Sequence, residues 1–336
     1  MSQHIHMNHG SGGHPFEALL KKIILPAFDN PYLNQLTDGA LLESVEGRLV
    51  MTTDAHVVSP RIFPGGSLGK LAFCGTVNDL AVMGAKPLYL SLSLIIEEGF
   101  SLEELKLHIG HMAKLSKQCS IPIVAGDTKV VERGKGDGLF MTTSGVGVIE
   151  NPELYPQPKN ISPGDMILIN GPIGNHGISV LAARENLDFQ SEVVSDCAPL
   201  QDLILPLWKR FPEIRCMRDP TRGGVAAVAN ELASQCELEM ELFEQKIPVE
   251  KSVRSACELM GFDPLLLANE GKVIIFAPEK SVHAILDAMR SHELGTESEI
   301  IGQVHKGPRP LVRSTTALGG SRLIPWPSGE QLPRIC

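Results

Sequence analysis

Apolar and polar positions along this chain recur with two distinct periods, and these divide it into strands and helices before any residue is given a job. Leu and Ser alternate from Tyr89 to Leu94 within Pro87–Glu97, which puts the apolar groups on one face of a strand. Leu102, Leu105, Ile109 and Met112 then recur at helical spacing, with Ser101 at the N-cap and Glu104 at the capping-box position. Ser67 to Gly84 reads as a helix stopped by Gly84 ahead of Pro87. Further strands are expected at Arg48–Thr53, Ile121–Ala125 and Leu139–Ile149, and one helix from about Pro15 to Phe28. Asn151 to Gly164 is rich in Pro and Asn, carries no period, and marks a domain junction. Beyond it the pattern predicts strands at Met166–Asn170, Leu238–Phe243 and Val273–Phe276, a Gly-rich turn at Gly171–Gly177, and helices ending near Gln235 and Arg290. The predicted organisation is a flexible N-terminal segment with one helix (1–47), a first domain (48–150), a second domain (151–306) and a mobile tail (307–336). Strands and helices mix without an even βαβ rhythm, which favours an α+β architecture.

Composition narrows the function class. The 336 residues suit about two domains, and 43% hydrophobic with 21% charged residues is ordinary for a globular chain. A net charge of −9 with no basic stripe argues against nucleic acid as a partner. The apolar run Pro87–Ile96 is too short to cross a bilayer, and the His-rich start has no signal-peptide core. Seven widely spaced cysteines without a Cys-x-x-Cys pair argue against disulfides and zinc, and so for a reducing cytoplasm. Six of them sit in or beside apolar segments as small core residues. The seventh, Cys336, is the last residue, in Pro333-Arg-Ile-Cys336, where a thiolate can serve as a tethered nucleophile and carrier.

Candidate chemistry is spread along the chain. Asp54, Asp79, Asp127 and Asp219 stand beside small residues at the expected ends of strands or loops, and carboxylates so placed can converge on Mg²⁺. Read one at a time, each is equally a turn or cap residue. Lys70, Cys74 and Asn78 share a helix face, which could bring an amine and an amide to that metal. No Walker or Rossmann glycine pattern is present, so phosphates would be cradled by Gly126-Asp127-Thr128-Lys129 and the Gly10–Gly13 segment. Glu270, in Asn269-Glu-Gly-Lys272 at the start of a strand, is placed to be partly desolvated as a general base. His4, His6, His9 and His14 lack accompanying ligands and read as surface histidines.

Taken together, these segments resemble the HypE family, the carbamoyl dehydratases of nickel–iron hydrogenase maturation. The pieces that carry the likeness are His9–Gly13, Thr53-Asp54, Pro64–Lys70, Gly75–Asp79, Gly84–Pro87, Ala125–Val130, Arg218–Gly224, Asn269–Lys272 and the terminal Pro333–Cys336. The resemblance implies an aminoimidazole ribonucleotide synthetase-like fold of two domains, the first pairing strands across a homodimer. It implies ATP and Mg²⁺ as cofactors, held by Asp54, Lys70, Asn78, Asp79, Asp127, Thr128 and Asp219, with Asp54, Asp79, Asp127 and Asp219 nearest the metal. It also implies a reaction: the partner HypF loads a carbamoyl group on Cys336, ATP drives its dehydration to a thiocyanate with Glu270 and Lys129 moving protons, and cyanide passes to a HypC–HypD complex. Two other readings stay open from sequence. One is another ATP-using member of the superfamily, such as a selenophosphate synthetase or thiamine-phosphate kinase, although the chain has no cysteine before Cys74. The other is a non-catalytic carrier in which the nucleotide only gates docking.

Overall fold

The computed structural model describes residues 4–11, 13–151, 153–154, 156–187, 193–316, 319–329, 332 and 334–336. The chain forms two compact units: Met1–Val57, Ser67–Leu80 and Ala85–Glu150 make the first, and Val58–Gly66, Ala81–Gly84 and Asn151–Cys336 the second.

In the first unit, helix α1 (Gly13–Leu19) continues through a π-helical turn, Leu20–Ile24, into Leu25–Ala27. Then come β1 (Arg48–His56), α2 (Leu68–Val82), β2 (Lys86–Glu97), α3 (Leu102–Cys119), β3 (Ile123–Val131) and β4 (Leu139–Ile149). The strands lie in the order β1-β4-β2-β3; only β2 and β3 run parallel, joined by the crossover helix α3. Leu90, Leu92 and Leu94 are buried while Ser91 and Ser93 are half-exposed, as the alternation requires. Ser101 Oγ accepts from the Glu104 N–H at 3.3 Å and starts α3. Helix α2 is apolar nearly all round and is buried accordingly. It approaches the sheet closely at Gly145, where a Cβ would stand 2.7 Å from the Thr76 methyl.

The second unit contains β5 (Asp165–Ile169), α4 (Asn175–Glu185), α5 (Gln201–Arg210), β6 (Cys216–Arg218), α6 (Gly224–Cys236) and β7 (Glu239–Phe243). It continues with α7 (Lys251–Met260), β8 (Ile274–Pro278), α8 (Glu279–Arg290), β9 (Glu299–His305), β10 (Leu311–Thr315) and β11 (Ser321–Leu323). Its sheet runs β11-β10-β7-β9-β5-β8-β6 and is antiparallel except for β10 beside β7. Both faces are covered. Ile167, Ile169 and Phe276 pack with α6, while Leu168 and Ile275 pack with α5 and α8. The architecture is α+β, as expected.

Four expectations are corrected. The tail from 307 is not a mobile arm: β10 and β11 join the sheet, Val312 is fully buried, and Ile335 is buried near its end. The strands are short and flanked by Pro and Gly, so no period marks them. Residues 4–6 are not a flexible extension, because Ile5 is buried and exchanges backbone bonds with Gly99 and Phe100. Asp54, Asp79 and Asp127 lie inside β1, α2 and β3 rather than at element ends. Finally, Gly126–Lys129 is strand and not a flexible loop, because β3 runs to Val131 in register with β2.

If the 307–336 segment were a mobile arm, truncating Val312 would cost nothing. Its full burial in the sheet core predicts instead that Val312→Ala loses about 2 kcal/mol, read from urea unfolding midpoints.

Candidate functional site

The seam between β1 and α2 carries the first group of polar side chains. Asp54 is in register with Thr143 on β4, and the Thr76 hydroxyl of α2 donates to Asp54 Oδ2 at 3.0 Å. Thr76 and Thr143 hydroxyls are 2.6 Å apart, and His56 Nε2 is 3.2 Å from Thr143 Oγ1. Burial lowers the His56 pKa to about 4 against the opposing pull of the Asp54 carboxylate, so the imidazole is neutral at pH 7. The Thr76 hydroxyl donates to the Asp54 carboxylate, so Thr76 Oγ1 accepts from Thr143, whose hydroxyl also has the Ala72 carbonyl at 3.1 Å as an acceptor; His56 Nε2–H donates to Thr143. One strand step away, the Thr52 hydroxyl donates to Asp79 Oδ2 at 2.7 Å. Asn78 is buried on the same helix, and Gly75 leaves room for the His56 ring, which a Cβ would meet at 3.0 Å. Lys70 begins that helix face, its N–H donating to Ser67 Oγ at 3.3 Å.

Asp127 and Lys129 stand elsewhere. Asp54, Thr143, Leu92 and Gly126 form one register row, and Asp127 with Ser93 belongs to the next, so the two carboxylates point to opposite faces of the sheet. Asp127 Oδ2 lies 3.5 Å from Lys129 Nζ, with 60% and 66% of their side chains exposed. Thr128, between them, is buried on the Asp54 side, and its N–H donates to Asp127 Oδ1 at 2.8 Å. A cleft of about 770 Å³ opens beside β3 and is lined by Gly13, His14, Phe16, Gly126, Asp127 and Thr128. Gly13 of one glycine segment and Gly126–Thr128 of the other, both read from sequence as phosphate cradles, therefore border one cleft; Gly12 lies outside the described residues.

The second unit holds Asp219, Glu270 and Cys336. Asn269 is fully buried; its Oδ1 accepts the Gly174 N–H at 2.8 Å and its Nδ2 donates to Pro220 O at 2.9 Å. It thereby stitches the Asp219-Pro220 turn and the Gly-rich turn to the Glu270 turn. Asp196 accepts the N–H groups of Glu270 and Gly271 at 3.1 and 3.3 Å and pairs with Lys272 at 3.4 Å. Glu270 itself is buried. A Cβ on Gly271 would collide with the Asp196 carbonyl, so glycine is required at that crossing.

Among the described residues, no three His, Cys, Asp or Glu side chains are grouped so as to hold a metal ion. The expected convergence of Asp54 and Asp127 is corrected by the register that puts them on opposite faces. Asp54 and Asp79 with the neighbouring Thr oxygens remain a hard-oxygen set. That set fits Mg²⁺, which takes few carboxylates and completes its shell with water and phosphate.

Residues 36–149 match the model of the AIR synthase related protein N-terminal domain, and 162–313 match that of its C-terminal domain. Carbamoyl dehydratase HypE of Azotobacter vinelandii is 48% identical over 99% of this chain and 97% of its own. The chain belongs to the HypE carbamoyl dehydratase family. A crystal structure of HypE in complex with ATP superimposes with a TM-score of 0.95 at 42% identity, covering 98% of this chain and 99% of that one. HypE in a crystallised HypE–HypF complex gives 0.81 at 46% identity over 92% and 100%.

Against this family background the cysteines separate by environment. Burial pushes the Cys216 thiol up to about 12 and Cys257 up to about 11, so these two stay protonated and inert; half-buried Cys236 is raised as well. Asp196, His176 and Ser195 gave no sequence signal. The one available hint was Asn269, which opens the Asn-Glu-Gly-Lys cluster.

Thr76→Val removes the hydroxyl that joins Thr143 to Asp54; Thr143 keeps the Ala72 carbonyl as an acceptor, while Asp54 loses that donor. It should cost about 1–3 kcal/mol in urea unfolding, and Thr76→Ser should restore most of the loss.

Proposed function

We propose that this protein is the ATP-dependent carbamoyl dehydratase its family membership indicates, carrying a carbamoyl group on the Cys336 thiol and dehydrating it to a thiocyanate that supplies the cyanide ligands of the nickel–iron hydrogenase centre. The observation that carries this reading is 48% identity to a carbamoyl dehydratase over essentially both chains. The solved HypE–ATP complex supports ATP as the co-substrate, and the HypE–HypF complex supports HypF as the donor of the carbamoyl group. A HypC–HypD complex is the acceptor on this reading, and the setting is the cytoplasm. Among the described residues no helix is long and apolar enough to cross a membrane.

The chemistry follows from the residues. An amide oxygen is a poor leaving group, so the thiocarboxamide oxygen takes the γ-phosphoryl group and ADP departs. Removal of the nitrogen protons then expels phosphate and leaves S–C≡N. Mg²⁺, when bound, neutralises phosphate charge, and Asp54 and Asp79 are the residues we assign to it. We assign Asp127, Thr128, Asn78, Lys70 and Asp219 to nucleotide binding, Glu270 as the base that takes the nitrogen protons, and Lys129 as its partner in moving them. Glu270 suits the role of base because its backbone is fixed by Asp196 while its side chain is buried.

The open face of the first sheet leaves Leu49 at 62% and Met51 at 72% exposure next to β4. A half-covered mixed sheet with such residues on its antiparallel edge strand suits a second copy of the chain, and we place the homodimer contact there.

Cys336→Ala should abolish uptake of the carbamoyl mass increment from the donor system while leaving the fold intact. A mutant that still gains the increment overturns the carrier assignment. Glu270→Gln and Asp79→Asn should accept the carbamoyl group but stall dehydration by roughly 10²–10⁴-fold in single turnover, seen as a persistent thiocarboxamide mass. Equal loss of loading and dehydration would point to folding or docking instead. A non-catalytic carrier, by contrast, would show no ATP turnover that depends on the loaded tail.

A further inference from the structure

The end of the chain is held in place by the second unit. Ile335 is buried and bridges Val58, and the Arg334 carbonyl accepts from Ser59 N–H at 3.1 Å and Arg184 Nη2 at 2.9 Å. The Ile335 carbonyl lies 2.7 Å from His176 Nε2, on a fully buried ring in the first turn of α4. His176 Nδ1 is 2.9 Å from Ser195 Oγ, which also accepts the Cys197 N–H at 3.2 Å. The ring stands edge-on to Phe63 at 5.3 Å between centroids.

These contacts determine the proton positions. A carbonyl only accepts, so Nε2 carries the hydrogen, Nδ1 is bare, and the Ser195 hydroxyl donates to it. Burial lowers the pKa of this histidine, with the Asp196 carboxylate and the Ile335 carbonyl opposing, and it is neutral. Asp196 is in turn paired with Lys272, so the charges nearest the ring compensate one another. Arg334 adopts a left-handed backbone conformation, φ +57°, which costs a residue with a side chain about 1 kcal/mol and is kept only while the docking contacts hold it.

We propose that His176 is the positioning residue of the thiol-bearing tail: its Nε2–H, set by Ser195, fastens the Ile335 carbonyl and parks Cys336 on the second unit, and breaking that bond is what releases the tail for delivery. The inference rests on the reading of Cys336 as the carrier. A neutral donor suits the task. One uncharged hydrogen bond contributes about 0.5–1.5 kcal/mol, so docking and release stay within reach of each other, whereas a buried ion pair at this point would resist opening.

The test is timed alkylation of the native full-length protein with iodoacetamide, read by peptide mass, with half-buried Cys119 and Cys236 as internal references. His176→Phe keeps the ring shape against Phe63 and loses the donor; Cys336 should react about 2–10-fold faster, with the reference thiols unchanged. His176→Gln keeps an N–H donor and should return the rate toward wild type. Ser195→Ala should accelerate Cys336 in the same direction and serves alone if the Phe variant does not fold. Equal Cys336 rates in wild type, Phe and Ala variants overturn the assignment, as does a matching rise at Cys119 and Cys236. Failure of wild-type Cys336 to accept a carbamoyl group overturns the carrier reading instead, and alkylation does not depend on it.

Discussion

The turn that carries Glu270 precedes the ladder of β8, and buried side chains supply the hydrogen bonds that a ladder would otherwise give. Asn170 accepts the Val273 N–H at 2.8 Å and donates to the carbonyls of Gly271 and Leu294 at 3.1 and 2.8 Å. Asp196 takes the next N–H groups back along the chain, and Asn269 fastens the turn to Pro220 and Gly174. A buried backbone group without a partner costs about 1–3 kcal/mol, so losing any one of these side chains leaves several such groups exposed to that penalty. The position of Glu270, the approach of the Asp219 turn and the start of α4 all follow from this set of bonds. Because His176 lies in that same first turn of α4, the site for the end of the chain inherits its geometry from the same source.

Much of the fold was legible in the chain, for reasons that differ by element. The Leu/Ser alternation of β2 and the capped stripe of α3 were read correctly because each buries one face, and burial writes a period into sequence. Helix α5 was missed because Pro206 lies inside it, and β6, at Cys216–Arg218, because it is too short to show a period. The strands β10 and β11 are illegible in sequence because Pro and Gly surround them; their order comes from the pairing of β10 with β7, a contact distant in sequence, and of β11 with β10. The site was legible as a list of residues and not as an arrangement. Asp54 and Asp127 both stand out as lone carboxylates beside small residues. Only the register of four strands shows that they face opposite ways. His176 and Ser195 were invisible because a buried histidine with two good partners looks, in sequence, like any other.

Two aspartate–lysine pairs show how solvent exposure decides whether an ion pair is fixed. Asp196–Lys272 and Asp127–Lys129 have almost the same separation, 3.4 and 3.5 Å. The first has only 6% and 12% of its side chains exposed, and Asp196 is bound as well by two backbone N–H groups. Removing either member would strand a buried charge, a loss of several kcal/mol, so this pair is fixed and serves to place Glu270. The second pair is largely in water, where such an interaction contributes about 0–1 kcal/mol and yields readily to a better partner. Lys129 can therefore leave Asp127 for another partner at little cost, while Lys272 cannot leave Asp196. Identical side chains at nearly identical distance are thus divided between a fixed pair and one whose members are open to other partners, and solvent exposure is what divides them.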